Sequence, residues 1–413
     1  MNSSKRIRIS QLSMALAVAL TAPVMAQNTS SAIGGRITSN DGKPVAGATV
    51  SIKHNQSGSV SSAVTDAEGR YSSRGLRVGG PYTVTITKDG VTETRDNVYL
   101  QLAETKSLDA SLGQKVLDSV TVTGVAAGSE VFSATNMGAG TNISPEQLKS
   151  FASIQRNLQD YARLDPRLSQ TDKERGEISV GGQNSRFNSI TIDSVATNDT
   201  FGLESNNLPT AKQPISIDAI ESVQINISNY DVTQKGYTGA NINAVTKSGT
   251  NDFHGSLSYV YRSDSMAGDR YNRSTDTYSD PPDFKEETIG FTLGGPIIKD
   301  NLFFFAAYEE LTSTRGGPAA GPAGSDRFNV PITTGDITAA QNIATNVWGI
   351  DIGSADAAAA ELKVKDALIK LDANIGDNHR ASVRWSKTEQ DEPIYPSNFT
   401  SGSQAMSLDS HWY

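Results

Sequence analysis

The chain has 413 residues, 45 acidic against 36 basic side chains for a net charge of −9, and no cysteine. Its length implies two or three domains, and the absence of cysteine excludes disulfide frameworks, thiolate-ligated metals and thiol nucleophiles. The acidic balance argues against a nucleic-acid partner, which needs a basic footprint. The four histidines, His54, His254, His379 and His411, stand in no metal-ligand spacing, and the sequence holds no nucleophile elbow, phosphate loop or dinucleotide fingerprint, so neither an enzyme nor a metal or cofactor is expected.

Residues 1–26 read as a signal peptide. Lys5, Arg6 and Arg8 make the basic start, Leu12 to Leu20 the apolar run, and Val24-Met25-Ala26 the cleavage site. The run is shorter than the ~20 residues of a membrane anchor. Cleavage removes three basic residues and takes the net charge from −9 to −12. After Gln27 no stretch is apolar enough for a transmembrane helix, so a membrane location would have to be achieved with strands.

From 31 to 112 short alternating stretches are broken by turns at Asp41-Gly42, Asp66 to Gly69 and Asp89-Gly90, the pattern of an antiparallel β-sandwich. Asp66 and Glu68 could be taken for an acid/base pair, but in an Asp-x-x-Gly hairpin they read as turn formers. Sugar stacking would need exposed aromatics. Only Tyr71, Tyr82 and Tyr99 are present, and two of them are expected to face the core. "GRITSNDGKPVAGATVSI", "TDAEGRYSSRGL" and "YTVTITKDG" resemble the carboxypeptidase regulatory-like domain, which implies a prealbumin-like, carbohydrate-binding-like fold. A peptidase accessory role rests on that family name alone.

Residues 113–124 form a linker with an isolated β-prone stretch. It is either a last structural strand or a segment kept extended to add to the edge of a partner's sheet. A helix start follows, with Ser144 as N-cap, Pro145 at the first position and Gln147 completing a capping box. Leu148, Phe151, Ile154, Leu158 and Tyr161 recur at helical spacing up to the stop at Asp165-Pro166, predicting one amphipathic helix packed on a core. Strands are expected at Ile178–Gly182, Ser189–Asp193, Ile217–Ile225 and Asn241–Gly249.

"RFNSITIDSVATND" and "IDAIESVQINISNYDVTQKGYTGANINAVTKSGTNDFHGS" are similar to the plug domain of TonB-dependent outer-membrane receptors, in their Oar-like subfamily, which also carries a regulatory-like sandwich in front. The plug would span 121–249. The resemblance makes "LDSVTVTG" the energy-coupling TonB box, carried onto Asp118, Ser119, Val120, Thr121, Val122 and Thr123. It further implies a Gram-negative outer-membrane receptor with a periplasmic N-terminal domain. Its partners would be the C-terminal domain of TonB, outer-membrane lipid and an extracellular ligand that is a peptide, glycan or siderophore. The alternative is a surface or periplasmic binding module acting through the sandwich and the outer loops. Thr233 to Lys247 would touch ligand or pack inside the barrel, with packing preferred.

From 251 to 413 the pattern is that of a transmembrane barrel. Leu257, Tyr259 and Tyr261, then Ile289, Phe291 and Leu293, then Ala367, Ile369, Leu371 and Ala373, then Ala381, Val383 and Trp385 alternate with polar residues. Leu302 to Tyr308 is apolar on both faces, so Phe303 and Phe305 either pack on the plug or join an aromatic girdle. Connections alternate in length, short at 296–301 and 376–378, long at 263–285 and 311–365. A soluble all-β domain is the competing reading. Five strands and a sixth starting near Ser407 cannot close a barrel of 22, so the expectation is the N-terminal part of a longer receptor or a degenerate barrel. The fold class is thus mainly β: a prealbumin-like sandwich, an α+β plug and the first strands of an antiparallel transmembrane barrel.

Overall fold

A computed structural model describes residues 29–113, 138–394 and 410–412, apart from 152, 154, 155, 163, 173–175, 202, 203, 230–235, 274, 275, 282, 316–319, 326, 327, 353–359, 377 and 378. The signal peptide and the proposed box, Asp118 to Thr123, lie outside the described residues. The first eight strands are β1 (Ser31–Ser39), β2 (Thr49–His54), β3 (Val60–Val64), β4 (Arg70–Leu76), β5 (Gly79–Lys88), β6 (Val91–Leu100), β7 (Thr105–Ser107) and β8 (Ala110–Leu112). They form two facing sheets, β3-β2-β5-β6 and β4-β1-β7, with β8 also on β1. Alternation places Ile33, Ile37, Val50, Ile52, Val84 and Ile86 between the sheets. Tyr71 and Tyr82 join them, donating their hydroxyls to the carbonyls of Leu108 and Arg77 at 2.8 Å each, while Tyr99 is exposed.

The sandwich is not wholly antiparallel, as the turn pattern had implied. β7 and β8 run parallel to β1, because the chain reaches them by crossing from β6 in the other sheet rather than by a hairpin. The Asp66 carboxylate builds its turn, with Oδ1 accepting from the amides of Glu68 at 3.0 Å and Arg70 at 2.7 Å. Gly69 completes it at φ 74°, where a Cβ would lie 2.5 Å from the Ile37 carbonyl oxygen.

Next come β9 (Gly138–Ile143), α1 (Pro145–Ser150), α2 (Leu158–Ala162), β10 (Leu168–Asp172), β11 (Glu177–Val180), β12 (Ser189–Ile192), β13 (Val195–Ala196), β14 (Ile220–Asn229) and β15 (Asn241–Thr246). Five of them make a sheet in the order β13-β12-β15-β14-β9, with β12 and β15 parallel. Every residue of β15 is buried, in line with packing for that part of 233–247. The capping box forms as expected, Ser144 Oγ accepting from the Gln147 amide and Gln147 Oε1 from the Ser144 amide. The single helix does not. It ends at Phe151, Arg156 takes φ 52°, and a second short helix restarts after Asn157, whose amide donates to Ser153 Oγ and whose Oδ1 accepts from the Asp160 amide. Short polar side chains that bond the backbone locally compete with a continuing helix. Leu148, Leu158 and Tyr161 still share one core, so the helical spacing reported burial rather than continuity.

The remainder holds β16 (His254–Ser263), β17 (Arg270–Asn272), β18 (Thr277–Ser279), β19 (Phe284–Ile298), β20 (Leu302–Arg315), β21 (Ala320–Gly321), β22 (Phe328–Asn329), α3 (Thr334–Ile343), β23 (Ala360–Ile375), β24 (His379–Ile394) and β25 (Ser410–Trp412). Six strands pair in chain order, β16-β19-β20-β23-β24-β25, all antiparallel. Among the described residues the sheet is open, with β16 and β25 as its edges. Its connections alternate as expected, 299–301 and 376–378 against 264–283 and 316–359. Leu257, Ile289, Phe291, Leu293, Ile369, Val383 and Trp385 form an exposed face, an apolar surface too continuous for water. The opposite face carries Phe305, Ala307 and Leu368 against the central domain and Phe303, also buried, beside Arg77 of the sandwich. Phe303 and Phe305 therefore pack inward, while Tyr259, Tyr261 and Tyr308 stand on the outward side.

His54 closes the sandwich interior near the barrel sheet. It is 4% exposed, its ring lies 4.8 Å from that of Tyr82, and its Nδ1 accepts from the Ser57 amide at 3.2 Å. Burial first, then the guanidiniums of Arg77 and Arg380, push its pKa down from 6.5 to about 3. Below pH 6.5 the unfolded chain takes up a proton that the folded one refuses, so stability falls as pH drops from 6.5 toward 3. The slope is at most about 1.4 kcal/mol per pH unit. His54→Gln is expected to flatten the fall between pH 6.5 and 4.5, read as amide-exchange protection of β2 and β5. An unchanged slope would assign the acid sensitivity elsewhere.

Candidate functional site: the polar seam between central domain and barrel sheet

Two charged clusters join the central domain to the inner face of the sheet. The first is built on Asp193, which follows β12 at φ 47°. Its Oδ1 accepts from the Thr246 amide and its Oδ2 from Thr246 Oγ1, both at 2.8 Å. Arg384 on β24 donates Nη1 to Asp193 Oδ2 at 2.8 Å and to the Ile192 carbonyl at 3.0 Å. From β23, Lys370 Nζ reaches Thr246 Oγ1 at 3.1 Å and its carbonyl at 3.2 Å.

Lys370 and Arg384 are directly opposite each other in the β23–β24 register. Like charges in such a pair repel, and here each is met from another domain, Arg384 by the Asp193 carboxylate and the Ile192 carbonyl, Lys370 by the hydroxyl and carbonyl of Thr246. Two strands of the barrel sheet thus take the partners of their inward cations from the turn after β12 and from β15.

The second cluster centres on Arg156, in the break between the two helices. Its Nη2 donates to Asp218 at 2.6 Å and to Glu309 of β20 at 3.3 Å. Glu309 also accepts from Ser216 Oγ at 2.6 Å. Lys247 Nζ donates to the Asp218 carbonyl at 2.7 Å, and Gln390 of β24 accepts from the Ala211 amide at 2.7 Å. Beside it Arg262 and Glu286 pair across β16 and β19, and Thr388 donates to the buried Asp366 at 2.7 Å. Two open cavities of about 300 Å³ flank the seam. One is lined by Thr197, Pro214, Leu368 and Arg384, the other by Phe151, Arg156, Tyr161 and Lys247.

The chemistry on offer is ion pairing and hydrogen bonding. Among the described residues no three His, Asp or Glu side chains gather as metal ligands. Sequence reading placed the candidate site at Asp118 to Thr123 and missed the seam. Its signal was present in the charged residues alternating along β23 and β24, but which of them meet depends on strand register and on a partner domain over 120 positions away.

Residues 32–113 match the family described as a carboxypeptidase regulatory-like domain, and residues 245–347 the family described as an outer membrane beta barrel domain. The TonB-dependent transporter Oar of Myxococcus xanthus is 29% identical over 293 residues, 68% of this chain and 26% of that transporter. The chain therefore spans about a quarter of the length of that relative. Among solved structures, the outer membrane transporter YddB from Escherichia coli has a TM-score of 0.46 at 13% identity over 63% of this chain and 34% of its own. The ferric enterobactin receptor PfeA of Pseudomonas aeruginosa, as a G324V mutant, has a TM-score of 0.39 at 15% identity over 61% and 33%. The resemblance to Oar-like TonB-dependent receptors and the outer-membrane location, both expected from the sequence, are borne out by the two family matches and the transporter.

The charge arrangement predicts unequal costs. Asp193→Ala strands the Arg384 guanidinium and removes the acceptors of the Thr246 amide and hydroxyl, and is expected to destabilise by about 3 kcal/mol, the lower end for breaking a buried pair. Arg384→Met leaves Asp193 bonded to Thr246 and is expected to cost about 1–2 kcal/mol. Urea unfolding of the two variants in detergent micelles, followed by exchange of β12 and β15, measures both. Equal losses would show that the bonds from Asp193 to Thr246 add nothing beyond the ion pair with Arg384.

Proposed function

We propose that this chain, similar over 68% of its residues to an Oar-type TonB-dependent transporter, works as a ligand-gated outer-membrane receptor and transporter without chemical catalysis. The observation that carries the reading is the six-stranded antiparallel sheet, which turns an apolar face outward while a folded domain satisfies its charged inner face. In this reading 31–112 is a periplasmic sandwich, 113–124 a linker with the box, 121–249 the plug and 251–413 barrel. Ligand binds at the outer apices of the plug and the long connections. The box at Asp118 to Thr123 then adds as a strand to the C-terminal domain of TonB, and the pull rearranges the plug. Backbone hydrogen bonds supply the affinity of such an added strand, and coupling requires that ligand bind the two plug states with different free energies.

A polar seam suits this use better than an apolar one. Its ion pairs and hydrogen bonds fix the plug in one orientation, yet each group can exchange its partner for water when the plug shifts. A sugar-binding role for the sandwich has less support, because Tyr71 and Tyr82 are buried and Tyr99 alone of the three is exposed.

Proline cannot donate to a ladder, so Val120→Pro with Val122→Pro is expected to weaken binding of the purified TonB C-terminal domain at least tenfold. The level of the receptor in outer membranes should stay unchanged. Titration of the full-length receptor in nanodiscs measures the affinity. Wild-type affinity in the double variant would remove the box from these residues.

A further inference from the structure

The sandwich is seated on the tight-connection end of the sheet and touches plug and barrel together. Arg380, the second residue of β24, donates to the Gly75 carbonyl and to Ser61 Oγ, both at 2.9 Å. In the reverse direction Arg77 of the sandwich donates to the Gly249 carbonyl at 3.1 Å, with its guanidinium 5.2 Å from the centre of the Phe303 ring. The Asn251 amide donates to the Gln56 carbonyl at 2.8 Å, and the Asn251 side chain bonds Asp300 in the 299–301 connection. On the plug side Val78 and Leu102 share a small apolar cluster with Val245 of β15. Gln224 of β14 donates to the Leu102 carbonyl at 3.3 Å, and Asn142 of β9 to Gln101 at 3.1 Å.

Three adjacent plug strands, the start of β24 and, through Asn251, the 299–301 connection are thus held by the sandwich. A plug that shifts relative to the barrel wall must shear these contacts or carry the sandwich with it. The interface is suited to release: its apolar part is three side chains, and the two arginines bond carbonyls, a hydroxyl and a ring rather than carboxylates. Small, mostly polar contacts of this kind are typical of domains that move relative to each other.

We propose that the sandwich is a latch, which when docked staples the plug to the barrel wall at the tight-connection end and must let go before the plug rearranges. The latch rests on the plug-and-barrel reading above, and its test needs neither TonB nor a ligand.

These 413 residues have no cysteine, so within them an introduced pair meets no competing thiol. A Cβ on Gly58 would lie 2.9 Å from Asp300 Cγ, one carbon–carbon bond short of Asp300 Cβ and within disulfide reach. Gly58→Cys with Asp300→Cys in the full-length receptor in nanodiscs is expected to cross-link on oxidation. Amide exchange of β14 and β15 should slow at least tenfold against the reduced form. Arg77→Ala with Arg380→Ala should speed that exchange at least tenfold while β2 and β5 keep their protection.

Failure to cross-link in a protein whose sandwich and plug retain wild-type protection overturns the latch. So does plug exchange that ignores both locking and release. Should the cysteine variant not fold, the arginine variant decides alone. Wild-type TonB binding in the box variant, with these exchange shifts intact, would sink the box reading and leave the staple standing.

Discussion

The sheet from β16 to β25 can turn apolar side chains outward only if its inward-facing charges are met, within the sheet or from elsewhere in the chain. In a membrane no water reaches the outer face, so the strands must satisfy their backbone in the ladder and their polar side chains on the other side. Arg262, Glu286, Glu309, Asp366, Lys370 and Arg384 all lie on that inner side. Arg262 and Glu286 pair with each other and Asp366 accepts from Thr388, while the central domain meets the other three: the turn after β12 presents Asp193 to Arg384, the break between the short helices presents Arg156 to Glu309, and β15 presents Thr246 to Lys370. The interrupted helix, which defeats a simple periodic reading, is what allows Arg156 to leave the helix axis and reach Glu309 on the sheet.

Much of the architecture is legible in the sequence because burial has a period. Alternation in β2, β16, β19, β23 and β24 separates faces correctly, and the Ser144 capping box forms as its spacing implies. Period fails where both faces are apolar: Phe303 and Phe305 could be placed only once the partner surface existed. It fails again at α1 and α2, where the repeat of Leu148, Leu158 and Tyr161 records a shared core and the local bonds of Ser153 and Asn157 decide the backbone. The parallel pairing of β7 and β8 with β1 is invisible locally, since it depends on which sheet the chain has just left.

The seam was illegible for a different reason. Lys370 and Arg384 are unremarkable alone; their significance comes from being opposite each other, which is a property of register. Asp193 and Arg156 sit at positive φ, and the sequence around them gives no strong turn signal. Sites made by long-range register carry no spacing rule of the kind that reveals a metal motif or a phosphate loop.

Strand β24 shows how one segment reports to every part of the molecule. Its even-numbered residues face inward and meet, in order from the tight connection, the sandwich through Arg380, the turn after β12 through Arg384, Asp366 of β23 through Thr388 and the Ala211 amide through Gln390. Its odd-numbered residues face outward, apolar from Ala381 to Trp385 and then charged, with Lys387 and Glu389 paired in the open. The same boundary recurs on β19, where Phe291 and Ile289 give way to the exposed pair of Glu287 and Lys285, and on β20, where Tyr308 donates to Glu310. Ion pairs outside the apolar band are solvated and add little stability, but they mark where the hydrocarbon must end. The apolar band lies toward the tight connections and the charged fringe toward the long ones. That polarity places the docked sandwich and the long connections beyond opposite ends of the apolar band, with the central domain and its seam between them.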